Sequence, residues 1–176
     1  MIGILIFSTL SISILSTEVK GRYNDFTNII LNFDESSYGK LWSSGYNVWR
    51  LNYINGVGFK NFRVDCDLIL VDKSENTHQL CSSHPHNLYL ELLSETGIIG
   101  LVLFILMFYY LLKQIVPTIF LLKENQQKYL YISCLIMILI YLWPVITYGS
   151  FYTSLNGLYI WLHISLLNYL RRDYIK

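Results

Sequence analysis

Residues 98–122 read IIGLVLFILMFYYLLKQIVPTIFLL, and Lys113 is the single charged residue in this stretch. A transmembrane helix needs about 20 consecutive, mainly apolar residues to cross the hydrocarbon layer of a bilayer. The stretch is long enough, and a lysine near a helix end can extend its amino group toward the membrane surface. We therefore predict a transmembrane helix over residues 97–122.

The region downstream of this helix is apolar for long enough to cross the membrane twice more. No charged residue occurs between Tyr129 and Leu170, and two crossings need about 40 residues. Pro144 is expected to kink the first of these helices near its end, because proline lacks the N–H that a helix interior requires. The predicted segments are a turn at 123–128, helices at 129–147 and 152–170, a turn at 148–151 and a tail at 171–176.

Residues 1–15 are also apolar, but at 1.5 Å per residue they reach only about 22 Å. This length is short of the hydrocarbon layer, which is about 30 Å thick. The segment also lacks the basic start and the small-residue cleavage site of a signal peptide. We interpret it as a partial transmembrane helix, and the chain as the C-terminal part of a longer protein.

The composition supports a membrane protein. Of all residues, 53% are hydrophobic and 14% are charged, whereas soluble domains carry about 25% charged residues. The formal net charge of +1 provides no basic surface of the kind that binds nucleic acid. The predicted fold class is an all-α integral membrane protein with three full transmembrane helices, a partial N-terminal one and a large, mainly helical loop over residues 16–96.

The distribution of charge predicts how the chain is oriented in the membrane. The loop 16–96 holds seven Lys and Arg against ten Asp and Glu, whereas the rest of the chain holds six against two. Lys and Arg concentrate in the cytoplasmic segments of membrane proteins. We therefore expect the loop outside, in the periplasm if the protein is bacterial, and both the 123–128 turn and the tail in the cytoplasm.

Two features of the loop predict local structure. Four aromatic residues between Trp42 and Tyr53 follow nearly helical spacing, which is typical of a helix lying at the membrane surface. Gly56 and Gly58 then predict a turn at which two backbone segments approach closely. A G-x-G pair without a surrounding strand–helix unit does not indicate nucleotide binding.

The segment CSSHPHNLYLELLSETGIIGL, residues 81–101, combines a helix start with two histidines. Ser83 is a suitable cap and Pro85 a suitable first-turn residue, which places His86 at a helix N-terminus beside the membrane. The positive end of the helix dipole disfavours a charged imidazole, so His86 would stay neutral, as a general base must. The alternative is purely structural: His84 and His86 merely cap the helix.

Cys66 and Cys81 flank a 14-residue segment of the loop. On an oxidising side of the membrane a disulfide between them is reasonable, and closing such a loop contributes about 3 kcal/mol. The alternative is a zinc site, for which the sequence offers Cys66, His78, Cys81, His84 and His86. We expect the disulfide and no metal.

The histidine segment also carries a longer pattern. His86, Asn87, Gly97 and Gly100 form H-N-x9-G-x-x-G, which continues into the apolar run of the membrane helix, and residues 56–63 upstream read GVGFKNFR. In this order and beside a membrane helix, the two motifs resemble those of the O-antigen ligase family. The resemblance covers roughly Trp42 to Phe104, with the flanking membrane helices matching more loosely.

The resemblance implies a multi-pass glycosyltransferase of the bacterial inner membrane that takes a glycan from undecaprenyl diphosphate. The acceptor would be a lipid A-core, a growing polysaccharide or a protein hydroxyl on the periplasmic face, with no metal or other cofactor needed. His86 would be the catalytic base, and a loop arginine would bind the diphosphate. We rank Arg63 first because it follows the glycine turn, then Arg22 and Arg50. The structural motif residues would be Asn87, Gly97, Gly100, Gly56 and Gly58.

Two competing hypotheses differ in class from this one. Family members usually have many more membrane helices, so the chain could be a non-catalytic membrane protein, or an inactive fragment, whose loop binds glycan or lipid. A zinc-dependent membrane hydrolase is disfavoured because the sequence lacks the H-E-x-x-H pattern that such enzymes use to bind their metal.

Overall fold

A computed structural model describes residues 17–71, 81–123, 126–147 and 149–175. All regular secondary structure in these ranges is helical. The chain divides into two compact units, residues 1–40 and residues 41–176. The predicted partial membrane helix at 1–15 lies outside the described residues.

In the first unit, α1 (Thr17–Leu31) is followed by a short 3-10 helix (Phe33–Glu35). α1 buries none of its residues. The next helix, α2 (Ser37–Leu51), includes the boundary between the units. Its start is capped by Ser36, whose hydroxyl accepts the N–H of Gly39 at 3.1 Å, as expected of serine at a helix N-terminus.

The aromatic stretch predicted to be helical lies mostly in α2, which ends at Leu51. Within the second unit, α2 buries Leu41 and Val48 completely or nearly so. Tyr46 stays exposed. Beyond α2, α3 (Phe62–Val71) follows the glycine turn, and Phe62 packs with Val48 in a small buried cluster.

The longest helix is α4 (Leu88–Ile115), which has 28 residues and continues through Val116 and Pro117 into the one-turn α5 (Thr118–Leu121). Among the described helices, this continuous stretch of 34 residues is the one whose length and composition suit a membrane crossing. The sequence prediction of a membrane helix at 97–122 falls largely within it.

The other two predicted crossings correspond to shorter or more polar helices. α6 (Gln126–Tyr141) has 16 residues, fewer than the about 20 that a full crossing needs. α7 (Ser154–Ile175) has 22 residues but includes Asn156, Asn168 and Arg171. The structure thus supports an all-helical protein with one candidate membrane helix, and the three-crossing arrangement stays a prediction.

The predicted helix end at residue 147 is wrong, because α6 ends at Tyr141. The backbone N–H of Trp143 donates to the carbonyl of Ile140 at 3.0 Å, which tightens the last turn. The residue before a proline is sterically disfavoured in the helical conformation. Pro144 therefore ends the helix rather than kinking it. Residues 142–147 lie outside any helix.

The main hydrophobic core lies between α4, α6 and α7. Tyr131 of α6 is fully buried, and its hydroxyl donates to the carbonyl of Ile115 at 2.9 Å, which joins the end of α4 to the start of α6. The apolar members of this core include Phe104, Phe108, Ile138, Ile160, Ile164 and Leu167.

A backbone break at Gly97 divides α4 into two parts: an upper part, residues 88–96, and a lower part, residues 98–115. Gly97 has φ 66° and ψ −169°, a left-handed φ that glycine adopts without strain. The break leaves helix-end carbonyls and N–H groups that need other partners. The carbonyl of Ser94 accepts the N–H of Val57 at 2.9 Å, and the N–H of Ile98 donates to the carbonyl of Tyr53 at 2.9 Å.

The glycine turn and the helix break therefore supply each other's hydrogen bonds. The N–H of Gly58 also donates to the carbonyl of Glu95 at 2.8 Å. A side chain at Gly56 would collide with the backbone of Glu95, and one at Gly97 would collide with the carbonyl of Ile54. Both glycines are needed for two backbones to approach this closely.

Gly100 has a different neighbour. A side chain there would collide with that of Thr96, whose hydroxyl donates to the carbonyl of Leu92 at 2.7 Å. Gly97 therefore faces loop backbone, and Gly100 makes room for a side chain of its own helix.

We predict that Gly97→Ala separates the glycine turn from α4. The substitution forces a non-glycine residue into a backbone conformation, φ 66° and ψ −169°, that essentially only glycine adopts, at a cost of about 1–3 kcal/mol, and it adds a collision with the Ile54 carbonyl. Hydrogen exchange of a peptide covering residues 52–61 should become faster. Gly21→Ala is the matched control, because nothing lies within 4 Å of a side chain there, and equal exchange in both variants would contradict the prediction.

Candidate functional site

His86 lies in the segment that leads into α4. Its backbone has φ 55°, a left-handed conformation that is uncommon for residues other than glycine and is often found at functional sites. Its ring lies beside that of His84, with 4.1 Å between the ring centroids. The hydroxyl of Ser83 is 2.9 Å from Nδ1 of His84, so the serine contacts a histidine.

Asn87 is the cap of α4, and the prediction that Ser83 caps this helix is wrong. The side-chain oxygen of Asn87 accepts the N–H groups of Tyr89 and Leu90, each at 3.1 Å. The helix begins at Leu88, so His86 precedes its first turn instead of lying within it. An asparagine satisfies these first N–H groups as well as a serine does.

Asn87 also fixes the segment to the chain that follows α6. Its side-chain amide donates to the carbonyl of Pro144 at 2.7 Å, and the hydroxyl of Tyr89 donates to the carbonyl of Leu142 at 2.6 Å. These two bonds satisfy carbonyls that the end of α6 leaves without helical partners. The asparagine of the motif therefore holds the backbone next to His86 from two sides.

Pro85 fixes the other side of the histidine segment. Its side chain is fully buried, and a side chain at Gly45 of α2 would come within 2.9 Å of Pro85 Cβ. The two segments are therefore in contact, with room only for glycine on α2. His86 thus lies between a buried proline and a buried asparagine, which restrict the backbone on both sides.

The environment of His86 favours its neutral form. Burial lowers the pKa of His86 below 6.5, and the neighbouring charge of His84 lowers it further. Both effects have the same physical sense, since a buried cation loses hydration and a second cation repels it. A neutral imidazole can accept a proton at neutral pH.

A disulfide between Cys66 and Cys81 connects α3 to the histidine segment. Cys66 is fully buried and packs with Phe62 and Val48. With both sulfurs in the disulfide, the alternative zinc site would keep only imidazole ligands, and His78 lies outside the described residues. No cluster of three or more metal-ligating side chains is found in the part of the chain that the structure describes.

The disulfide also relates Arg63 to His86. Arg63 is exposed in the first turn of α3, three residues before Cys66, while His86 follows Cys81 by five residues. Three residues span about one helical turn. The arginine therefore lies on the element that the disulfide joins to the histidine segment.

The other two candidate arginines lie on α2 and α1. Arg50 is near the end of α2, with its guanidinium carbon 5.8 Å from the centre of the Tyr46 ring. Arg22 is exposed on α1, in the first unit. The disulfide joins the helix that carries Arg63 to the histidine segment, and α2, the helix that carries Arg50, contacts the same segment at Gly45.

Two buried glutamates attach flanking loops to the upper part of α4. Glu95 accepts the N–H of Lys60 at 2.7 Å, and Glu91 accepts the N–H of Phe151 at 2.8 Å. Both side chains are at most 2% exposed. A buried carboxylate is stable only when hydrogen-bonded, so each glutamate and its loop depend on one another.

The loops held by these glutamates also touch each other. The ring of Phe59 meets that of Tyr152 edge to face, with 4.8 Å between centroids. No role was predicted for Glu91 or Glu95 from the sequence. Its one indication is that two acidic residues stand about one helical turn apart directly before an apolar run, a spacing that does not show which groups they bind.

The sequence also matches the model of a known protein family. The sequence matches the O-antigen ligase family over residues 1–105, which is more than half of the chain and includes His86, the glycine turn and the break at Gly97. The chain therefore belongs to the O-antigen ligase family. This is a family of membrane proteins with ligase- or polymerase-like glycosyltransferase activity. No curated protein and no solved structure matches the sequence.

We predict that Glu95→Ala releases Lys60 and loosens the glycine turn, whereas Glu95→Gln largely keeps it in place. The glutamine carbonyl can still accept the Lys60 N–H, while alanine removes this acceptor and the roughly 0.5–1.5 kcal/mol that such a hydrogen bond contributes. The check is the hydrogen-exchange rate of the Lys60 amide together with the thermal stability of the purified chain. Equal behaviour of the two variants would contradict the prediction.

Proposed function

We propose that the protein transfers a glycan from undecaprenyl diphosphate to a hydroxyl of an acceptor on the periplasmic face of the bacterial inner membrane. The acceptor is a lipid A-core, a growing polysaccharide or a protein. The observation that carries the proposal is His86: a family-motif histidine in a left-handed conformation, held by Pro85 and Asn87 directly before the candidate membrane helix.

In the proposed reaction, neutral His86 accepts the proton of the acceptor hydroxyl. The hydroxyl oxygen then forms a bond to the anomeric carbon of the glycan, while the bond from that carbon to the diphosphate oxygen breaks. The electron pair leaves with undecaprenyl diphosphate, and the proton remains on the imidazole. A positioned histidine typically accelerates such a step by about 10²–10⁴-fold.

The departing diphosphate gains negative charge, which an arginine stabilises well because its planar guanidinium donates two parallel hydrogen bonds. Arg63 is our first candidate, followed by Arg22 and Arg50. The support for Arg63 is its position on α3, which the Cys66–Cys81 disulfide joins to the histidine segment. With arginine in this role, the proposed reaction requires no metal ion and no other cofactor.

The orientation is part of the proposal. The acidic excess of the loop and the basic excess of the remaining segments favour a periplasmic loop by the distribution of Lys and Arg. The carrier lipid would then present its diphosphate at the periplasmic surface of the inner membrane, where the upper part of α4 begins.

We predict that His86→Ala lowers glycan transfer by about 10²-fold or more, which corresponds to about 2.7 kcal/mol in the activation barrier. His84→Ala should have a much smaller effect, because in the proposed reaction His84 lies beside the base and does not itself accept the proton. The measurement is transfer from a purified undecaprenyl diphosphate-linked glycan in membranes containing each variant, with membrane insertion verified for both.

The opposite ranking of the two histidine variants would show that the base is His84. Undiminished transfer in both would favour the competing role, a loop that binds glycan or lipid without catalysing transfer. That role also predicts that glycan binding survives in His86→Ala.

The pH dependence of transfer provides a second prediction. Transfer needs neutral His86, so kcat/KM should rise with pH through the pKa of His86 and level off above it. Because burial and the neighbouring His84 lower the pKa of His86, this acidic limb should lie at lower pH than it would for an ordinary imidazole. His84→Asn removes a repelling charge, which raises the pKa of His86 and should move the acidic limb to higher pH. An unmoved limb, or one moved to lower pH, would contradict this assignment.

A further inference from the structure

A pocket with two cationic side chains lies at the far end of the candidate membrane helix from His86. Its volume is about 480 Å³, within the range of about 300–1,000 Å³ that is usual for small-molecule sites. The lining residues come from the end of α4, from the α4–α5 connection, from α5 and from α7; they are Tyr110, Lys113, Gln114, Pro117, Thr118, Leu121 and Arg171.

The pocket combines positive charge with a fixed geometry. Lys113 and Arg171 contribute two cations, and none of the seven lining residues is acidic. A guanidinium N–H of Arg171 donates to the side-chain carbonyl of Gln114 at 2.8 Å, which holds the arginine of α7 against α4. Because a guanidinium has five N–H groups, this bond leaves the arginine able to contact a bound anion as well.

The depth of the pocket matches the edge of a bilayer. Lys113 follows Gly97 by sixteen residues, which corresponds to about 24 Å along a helix, against a hydrocarbon thickness of about 30 Å. Tyr110 and Leu121, which border the pocket, expose more than half of their surface, 59% and 72%. The rim of the pocket is therefore largely apolar where lipid chains would lie, and the long side chain of Lys113 can carry its amino group across the remaining distance, about 6 Å, to the headgroups.

We propose that this pocket binds the phosphodiester headgroup of an anionic membrane lipid, with Arg171 and Lys113 contacting the phosphate oxygens. Arginine can pair with two phosphate oxygens at once, and lysine adds a point charge. Basic pockets between membrane helices are known to hold such headgroups. The pocket is larger than an inorganic phosphate requires, and its apolar rim favours a lipid over a free ion.

The test compares lipid retention in nanodiscs that contain phosphatidylcholine and phosphatidylglycerol, measured by native mass spectrometry of the full chain. The wild type should retain phosphatidylglycerol in preference to phosphatidylcholine. In Lys113→Gln/Arg171→Gln this preference should fall by about 30-fold, as expected when two cations near anionic lipid are removed. The matched control is Lys123→Gln/Arg172→Gln, which removes two exposed cations that do not line the pocket.

Two results would overturn the proposal: an unchanged preference in the pocket variant, or an equal loss in the control, which would indicate a general effect of charge. Complete displacement of phosphatidylglycerol by millimolar inorganic phosphate would also overturn it, since the site would then be one for free phosphate. If the double variant does not insert, Arg171→Lys keeps the charge but loses the paired contacts. It should then reduce the preference partially, and no reduction would contradict the role of Arg171.

Discussion

The rest of the site depends on the backbone hydrogen bonds that the glycine turn and the break in α4 form with each other. At Gly97 the helix stops pairing its own groups, and the chain around residues 53–58 supplies the partners. A buried N–H or carbonyl without a partner is costly, so neither the break nor the turn is stable alone. These bonds fix the C-terminal end of the upper part of α4. His86 lies just before its N-terminal end.

The upper part of α4 is therefore a short helix that is held at both ends. Its lower end is fixed by the glycine turn and by Glu95, and its upper end by Asn87 and the chain after α6. Glu91 adds a third attachment midway. In the proposed reaction His86 receives a proton from a docked hydroxyl, and such a group needs a fixed geometry before the substrate binds. Three attachments on about nine residues would provide it.

Several parts of this arrangement were predictable from local sequence, and others were not. The membrane helix follows from an apolar run, and the close approach at Gly56 and Gly58 follows from glycine's freedom. That Gly56 would meet the helix near Gly97 was not predictable, because about forty residues separate them and no local rule pairs them. Ser83 and Asn87 are both good caps by composition, and the bond to Pro144 favours Asn87. The roles of the two buried glutamates depend on loop N–H groups, which no sequence pattern marks.

The bond between Asn87 and Pro144 has a consequence for how the family domain is delimited. The family match ends at residue 105, yet Asn87, Tyr89 and Glu91 find their partners at residues 142–151. A fragment cut where the match ends would contain every motif residue but would lack three of the groups that order them. For this chain, the segment that matches the family is therefore shorter than the folded unit that fixes the positions of the motif residues.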